Sequence, residues 1–279
     1  MMGEHMFGFG NRKEKFLAAM RQFAGQDIMV AFSGGVDSSL ILKTACDMAQ
    51  EMGTRVYAVT MQTMLHPAGE IEEAKRICRE MKARHIVIAI DELKEAGIMD
   101  NPPERCYLCK KHLFTQIKEK AAELGIGIIL EGTNGDDLHV YRPGIRALKE
   151  LQIISPLAEA GLSKEEVRKL ASEYGIETAS KPSMPCLATR FPYGTALTYK
   201  EMERVEQGEA YLRGLGLNNV RIRVHGTIAR VEVDEGAFGE VIKRKNEIIS
   251  FLQELGYVYV TLDLEGFRSG SMDVGLKSV

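Results

Sequence analysis

The chain of 279 residues has no tryptophan, and neither sign of charge dominates it, the net charge being −3. No apolar stretch approaches the roughly 20 residues that a membrane span needs. Met1–Gly10 lacks a charged start followed by an apolar core, so no secretory signal is expected. These absences set the expected compartment as the cytoplasm, with no membrane partner. Without a basic excess the composition also disfavours a dedicated nucleic-acid binder. The five cysteines are an odd number, which in a reducing compartment does not read as a disulfide framework. Also missing is Gly-x-x-x-x-Gly-Lys-Ser/Thr, which excludes a Walker P-loop.

What is present is Ser33-Gly34-Gly35-Val36-Asp37-Ser38-Ser39, directly after the apolar run Ile28–Phe32 and opening a helical run near Leu40. A buried strand, a Gly-rich turn and a helix N-terminus together make an anion site, because backbone N–H groups and the helix dipole both favour negative charge there. Gly34 and Gly35 let the backbone approach a phosphate. Ser33, Ser38 and Ser39 add hydroxyl donors, and Asp37 is placed to hold Mg²⁺ against phosphate oxygens. The pattern resembles the PP-loop of the ATP pyrophosphatase superfamily, whose members cleave ATP between the α- and β-phosphates and adenylate a substrate.

The remaining pattern predicts an α/β fold. Arg12–Ala24 reads as a helix. Apolar strands are expected at Ile28–Phe32, Arg55–Met61, His85–Ile90 and Ile126–Leu130, alternating with helices at Leu40–Ala49, Glu70–Lys82 and Leu108–Leu124. That alternation implies a parallel sheet with helices on both faces, binding ligands at the carboxyl ends of its strands. Thr60 and Glu131-Gly132-Thr133-Asn134 fall at that end. Capping boxes at Ser163/Glu166 and Thr198/Glu201 start two further helices, the first ended by Gly175. Lys181–Gly194, with three prolines, reads as a loop. Val220, Ile222, Val224 and then Val231, Val233 alternate with charged residues around the turn His225-Gly226-Thr227, which predicts a hairpin with one buried face. A helix of about 18 residues and a strand at Tyr257–Leu264 follow. The expected organisation is a nucleotide-binding domain at 1–193 and a small α+β domain at 194–279.

Three cysteines fall outside the apparent core. Cys106 and Cys109 form a Cys-x-x-Cys at a helix start, a position that favours the thiolate and suits metal or redox work. Cys186 lies in the proline-rich loop. Cys46 and Cys78 sit among apolar helix neighbours and read as core. Zinc completed by His112 or His139 is one reading of the three. The other is an iron–sulfur cluster with one iron open to an external ligand such as hydrosulfide, which beside an adenylation site suggests sulfur transfer.

Several blocks carry a closer resemblance: Arg105-Cys-Tyr-Leu-Cys-Lys110, Glu131-Gly-Thr-Asn-Gly-Asp-Asp137, Tyr141-Arg-Pro-Gly144, Cys186-Leu-Ala-Thr-Arg-Phe-Pro-Tyr-Gly194 and Gly266-Phe-Arg-Ser-Gly-Ser271. With the PP-loop they span residues 33 to 271 and are similar to the LarE family of ATP-dependent sulfur transferases, which act in nickel pincer cofactor biosynthesis. The resemblance implies adenylation of a carboxylate of pyridinium-3,5-biscarboxylic acid mononucleotide and replacement of its oxygen by sulfur. It also implies a small-molecule substrate, a sulfide or other sulfur donor, and a homo-oligomer. Some members sacrifice the sulfur of the one cysteine in the Cys-Leu-Ala block; others hold a [4Fe–4S] cluster on three cysteines. This chain has all three, so Cys106, Cys109 and Cys186 are the expected cluster ligands, with zinc left open by composition.

Ser33, Gly34, Gly35, Asp37, Ser38 and Ser39 are expected around ATP and Mg²⁺, with Thr60 and Gly132 lining the nucleotide on strand-end geometry alone and Thr133 in the family-like loop; Thr133, Asn134 and Asp137 have a satisfied turn as their alternative. Arg142 either contacts a phosphate or caps its own turn. Arg190, four residues after Cys186, is a candidate for substrate carboxylate or phosphate, with a surface salt bridge as its alternative. Arg221, Arg223, Arg230 and Glu232 have a solvated face of the hairpin as their default. The resemblance favours part of that face, together with Glu209, for the substrate phosphate or a metal, and Arg268, Ser269 and Ser271 as an anion-friendly tail. A tRNA thiolase of the same superfamily is the alternative enzyme. The 11 Lys/Arg against 13 Asp/Glu from Thr198 onward weaken it, since RNA needs a basic face. A non-enzymatic nucleotide- or cluster-binding module is the alternative of another class.

Overall fold

Residues 2–63, 65, 69–140, 142–180, 185–268 and 270–273 are described by a computed structural model of the chain. The chain begins with α1 (Met2–Phe23), β1 (Ile28–Ala31), α2 (Val36–Met52), β2 (Val56–Gln62), α3 (Glu70–Glu80) and β3 (Arg84–Ala89). It continues through α4 (Glu92–Glu95), α5 (Arg105–Glu123), β4 (Ile128–Leu130), α6 (Gly144–Glu150), α7 (Pro156–Ala160) and α8 (Lys164–Glu173). The last part holds α9 (Tyr199–Gly214), β5 (Val220–His225), β6 (Ile228–Val233), α10 (Phe238–Lys243), α11 (Lys245–Glu254) and β7 (Tyr259–Leu262). Contacts divide the chain into two compact units. One comprises Met1–Thr63, Ala68–Asp91 and Cys106–Met184, the other Met64–Pro67, Glu92–Arg105 and Pro185–Val279.

In the first unit the four apolar runs form one parallel sheet in the order β3-β2-β1-β4. Side chains alternate across a strand, so Ile28 and Val30 of β1 join a core with Phe16, Met20, Leu40 and Leu170, whereas Met29 joins Tyr57, Phe114 and Ile117 on the other face. Helices thus cover both faces, the α/β arrangement expected. Helix α1 starts earlier than the sequence reading indicates, since Gly3, Gly8 and Gly10 lower the helix propensity of the stretch before Arg12. The Ser163/Glu166 box forms in both directions, at 3.2 and 3.0 Å, a cap worth about 1 kcal/mol. Gly175 follows with φ +67°.

In the second unit β5 and β6 form the expected antiparallel hairpin, and β7 joins β6 in parallel, so the order is β5-β6-β7. The crossover is not one helix of about 18 residues. It breaks at Arg244 into α10 and α11. The Thr198 cap forms only its first half, accepting from the Glu201 N–H at 3.2 Å; the Glu201 carboxylate turns to Arg204 instead. No helix among the described residues is long and apolar enough to cross a membrane.

Candidate functional site

The end of β1 and the start of α2 build the anion site in the first unit. Gly34 has φ +73°, a left-handed conformation that glycine adopts without strain. Gly35 is the N-cap of α2 and offers no side-chain cap. The first N–H groups of the 17-residue helix are therefore left for an anionic ligand. The Ser38 hydroxyl donates to the Gly35 carbonyl at 3.1 Å and lies 3.3 Å from both the Ser33 N–H and its hydroxyl, so the serines shape the loop. Ser39, on the next position, is fully buried.

Asp37 stands in the first turn of α2. Its carboxylate accepts from the Asn134 amide at 3.1 Å and from the Lys164 ammonium. Asn134 is itself held, since its side-chain oxygen accepts from the N–H groups of Asp136 (3.0 Å) and Asp137 (3.3 Å). The loop after β4 comes against the PP-loop at Gly132: a Cβ there would lie 3.1 Å from both the Asp37 Cβ and the Ser38 nitrogen. A side chain at 132 would need the PP-loop to give by a few tenths of an ångström. Lys164 is the residue that sequence reasoning missed. Its only signal was its place right after the Ser163 N-cap, which puts it at the start of α8.

The other residues expected near the nucleotide make protein contacts. The Thr60 hydroxyl donates to the Phe32 carbonyl at 2.8 Å and lies 2.8 Å from His85 Nε2. Burial, with Lys75 nearby, lowers the His85 pKa and favours the neutral ring. Thr133 donates to Glu131 through both its N–H and its hydroxyl, at 2.9 Å each, and Ser155 donates to the same carboxylate. Arg142 pairs with Asp137 at 3.0 Å on an exposed face.

The cysteines fall into two chemical classes. Burial pushes the thiols of Cys46 and Cys78 up to about 12, so both stay protonated. Cys106 is exposed and Cys109 partly buried, one turn apart at the start of α5. Cys186, partly buried, immediately precedes the 3-10 turn Leu187–Arg190 of the second unit. The thiols of Cys106, Cys109 and Cys186 fit the donor chemistry of iron–sulfur and zinc sites alike. Among the described residues no three His, Cys, Asp or Glu side chains gather into a metal-holding group.

Around Cys186 the second unit is tightly braced. Arg190 is 3% exposed and binds Glu209 bidentately at 2.8 and 2.9 Å. Its third nitrogen donates to the carbonyls of Pro185 (3.0 Å) and Cys186 (3.3 Å). Arg190 therefore clamps the loop that carries Cys186, a buried pair and not a surface one. Asn101 donates to the carbonyls of Phe191 and Pro192, and Arg105 to that of Ala188. Neither Asn101 nor Arg105 stood out in the sequence as a brace.

The charged side of the hairpin is not the solvated face that alternation gives by default. Arg221, Arg223 and Glu232 are 8%, 5% and 0% exposed. Arg223 and Glu232 satisfy each other at 2.8 Å, Ser271 donates to Glu232 at 2.6 Å, and Arg230 bridges Glu232 and Asp263, while Arg221 donates to the Val220 carbonyl at 2.7 Å and lies over the Phe267 ring. Arg268 also reaches Asp263, at 3.2 Å. Burial would raise the pKa of Glu209, but the Arg190 hydrogen bonds and charge and the Ile222 N–H hold it below the usual carboxylate range. The cations are in excess: burial first, and then the neighbouring Arg190, Arg223 and Arg213, lower the Arg221 pKa to about 10. Ser269 lies outside the described residues, as do Tyr141 and residues 181–184 of the proline-rich loop.

Against known proteins, residues 10–139 match the PP-loop domain family. The chain is 37% identical over 268 residues to the pyridinium-3,5-bisthiocarboxylic acid mononucleotide synthase of Lactiplantibacillus plantarum, covering 96% of each chain. It is 38% identical over 264 residues to an uncharacterised Synechocystis protein, 93% of this chain and 97% of that one. The tRNA-specific 2-thiouridylase of Rickettsia felis is 30% identical over 194 residues, which covers 56% of this chain and 52% of that enzyme.

Proposed function

The chain belongs to the LarE family of ATP-using PP-loop enzymes, and on that premise we propose that it converts the carboxylates of pyridinium-3,5-biscarboxylic acid mononucleotide to thiocarboxylates. The observation that carries the reading is the 37% identity to the synthase across 96% of both chains. Likeness to the tRNA thiouridylase is confined to about half of each protein, and the second unit lacks the basic surplus in sequence that an RNA would require.

The first step joins a substrate carboxylate oxygen to the α-phosphorus of ATP and breaks the α–β phosphoanhydride, releasing pyrophosphate. Gly35 and the open turn of α2 receive phosphate oxygens. Asp37 would hold Mg²⁺, which would neutralise phosphate charge, and Lys164, paired with Asp37, adds a cation beside the same loop. Positioning and charge neutralisation supply most of the rate in such chemistry. The second step attacks the acyl carbon with hydrosulfide and expels AMP, with one proton released. Cys106, Cys109 and Cys186 are the residues to hold a [4Fe–4S] cluster, which when bound supplies the sulfur nucleophile. Arg190 keeps Cys186 in place through its carbonyl. The cationic excess around Arg221, with Arg223, Arg268 and Ser269, serves the substrate phosphate. Its carboxylates Glu209 and Glu232 keep that cluster assembled.

The test is incubation of anaerobically purified enzyme with ATP, sulfide and the pyridinium mononucleotide. Release of pyrophosphate and a product heavier by one sulfur-for-oxygen exchange per carboxylate is expected. Pyrophosphate release that depends on tRNA, or none with the mononucleotide, overturns the reading.

A further inference from the structure

The first unit contains a cavity of about 250 Å³ between α2, the end of α3 and the segment after α8. Two of the hydroxyls that line it are deeply buried: Ser39 is 0% and Thr178 4% exposed. Neither Ser39 Oγ nor Thr178 Oγ1 has a hydrogen-bond partner among the described residues. Buried hydroxyls are nearly always satisfied, so two orphans on one cavity wall mark a place where something else binds. At about 30 Å³ per water the space holds roughly eight waters, more than a single bridging molecule would need.

The polar groups on the wall are unequal. Its carboxylates are engaged: Asp47 takes Lys43 at 2.6 Å, and Glu80 and Glu177 both take Arg76, at 2.8 and 2.9 Å. Its donors are not. Besides the two hydroxyls, Lys82 lines the cavity, and no carboxylate among the described residues pairs with it. Lys82 has φ +58° just past the end of α3, a left-handed position that glycine would fill without strain. Two unengaged hydroxyls and an ammonium without a carboxylate, beside carboxylates that already hold cations, suit a ligand rich in acceptors. Ile77 and Ile176, also on the wall, leave room for a short carbon body.

We propose that this cavity binds a small oxyanion, a carboxylate or a phosphate, through Ser39, Thr178 and Lys82. The site is separate from the residues assigned to ATP by everything except Ser39, which stands two positions after Asp37 on α2. The experiment is calorimetric titration of the whole chain, saturated with a non-hydrolysable ATP analogue so that the PP-loop cannot take the probe. Succinate is one probe and inorganic phosphate the other, and whichever binds identifies the source of the oxyanion.

Saturable one-to-one binding of either probe is expected. It should weaken about tenfold or more in Lys82→Gln and in Thr178→Val, the loss for one hydrogen bond to a charged group, while the analogue binds both variants as it does the parent. Two variants are used so that a folding failure in one leaves the other to decide. Failure of both probes to bind saturably, which leaves the space to water, overturns the proposal. So does binding that a folded variant leaves unchanged.

Discussion

Asp37 holds its carboxylate between an amide and an ammonium, with Asn134 on one oxygen and Lys164 on the other. This balance makes the residue sensitive to charge and tolerant in shape. Asp37→Asn should fold normally and lose pyrophosphate release by several orders of magnitude, about 4 kcal/mol or more of transition-state stabilisation, as expected for a lost metal ligand. Near-normal pyrophosphate release by the folded variant would remove the PP-loop from the mechanism. Lys164→Met probes the other half. It should lower kcat with little change in the melting temperature, because an ion pair with a one-third exposed lysine contributes little to stability. The PP-loop was legible in the sequence because one short segment carries strand, turn and helix start together. Lys164 was not, because its link to Asp37 spans 127 positions and nothing local to it is unusual.

At the scale of elements, two close fits carry most of the geometry. The loop after β4 passes the PP-loop at Gly132, where an added Cβ meets backbone at 3.1 Å. Gly132→Ala should therefore push the two loops apart and weaken ATP binding about tenfold, the reach of a roughly 1.4 kcal/mol misfit. Unchanged nucleotide affinity in a titration would show that the loop yields. The hairpin is the second case. Glu232→Gln leaves Arg223 and Arg230 without their carboxylate in a buried setting, and a half-broken buried pair costs about 3–5 kcal/mol. Denaturant midpoints measure it. Glu209 adds a pH dependence. Its folded pKa lies below the ordinary 4.5, so the native state holds fewer protons than the unfolded chain in that window. The stability it contributes is whole above about pH 4.5 and is lost as pH falls through the lower folded value. Glu209→Gln should flatten that acid limb. Alternation revealed the hairpin and its register, but period-two patterning cannot tell a charged face in water from one buried in mutual ion pairs.

For the molecule as a whole, the parallel sheet and its order of elements follow from apolar runs alternating with helices. The membership of Glu92–Arg105 in the second unit does not, since no composition shift marks either end of that segment. The same difficulty attends the cysteines: spacing exposes the pair at 106 and 109, but their relation to Cys186 is a property of the folded chain. Chemistry gives the sharper division. Cys46 and Cys78 are held protonated by burial, with pKa values near 12, and are poor metal ligands. Cys106 is exposed, and Cys109 and Cys186 are partly buried as Cys46 is, so it is the raised thiol pKa and not exposure that sets Cys46 apart. Anaerobically purified protein should contain close to four irons and four sulfides per chain, the stoichiometry of one cluster on three thiolates. Ala at any of the three positions should abolish the iron while ATP binding survives, and Ala at Cys46 or Cys78 should leave the iron in place. Exposure to air should remove iron and sulfur transfer together and spare ATP binding, because the PP-loop contains no thiol. Stoichiometric zinc in place of iron would defeat the assignment. A mass loss of one H₂S at Cys186 after turnover would show instead that the sulfur comes from the protein itself, as dehydroalanine formed by β-elimination, and would limit each chain to a single transfer.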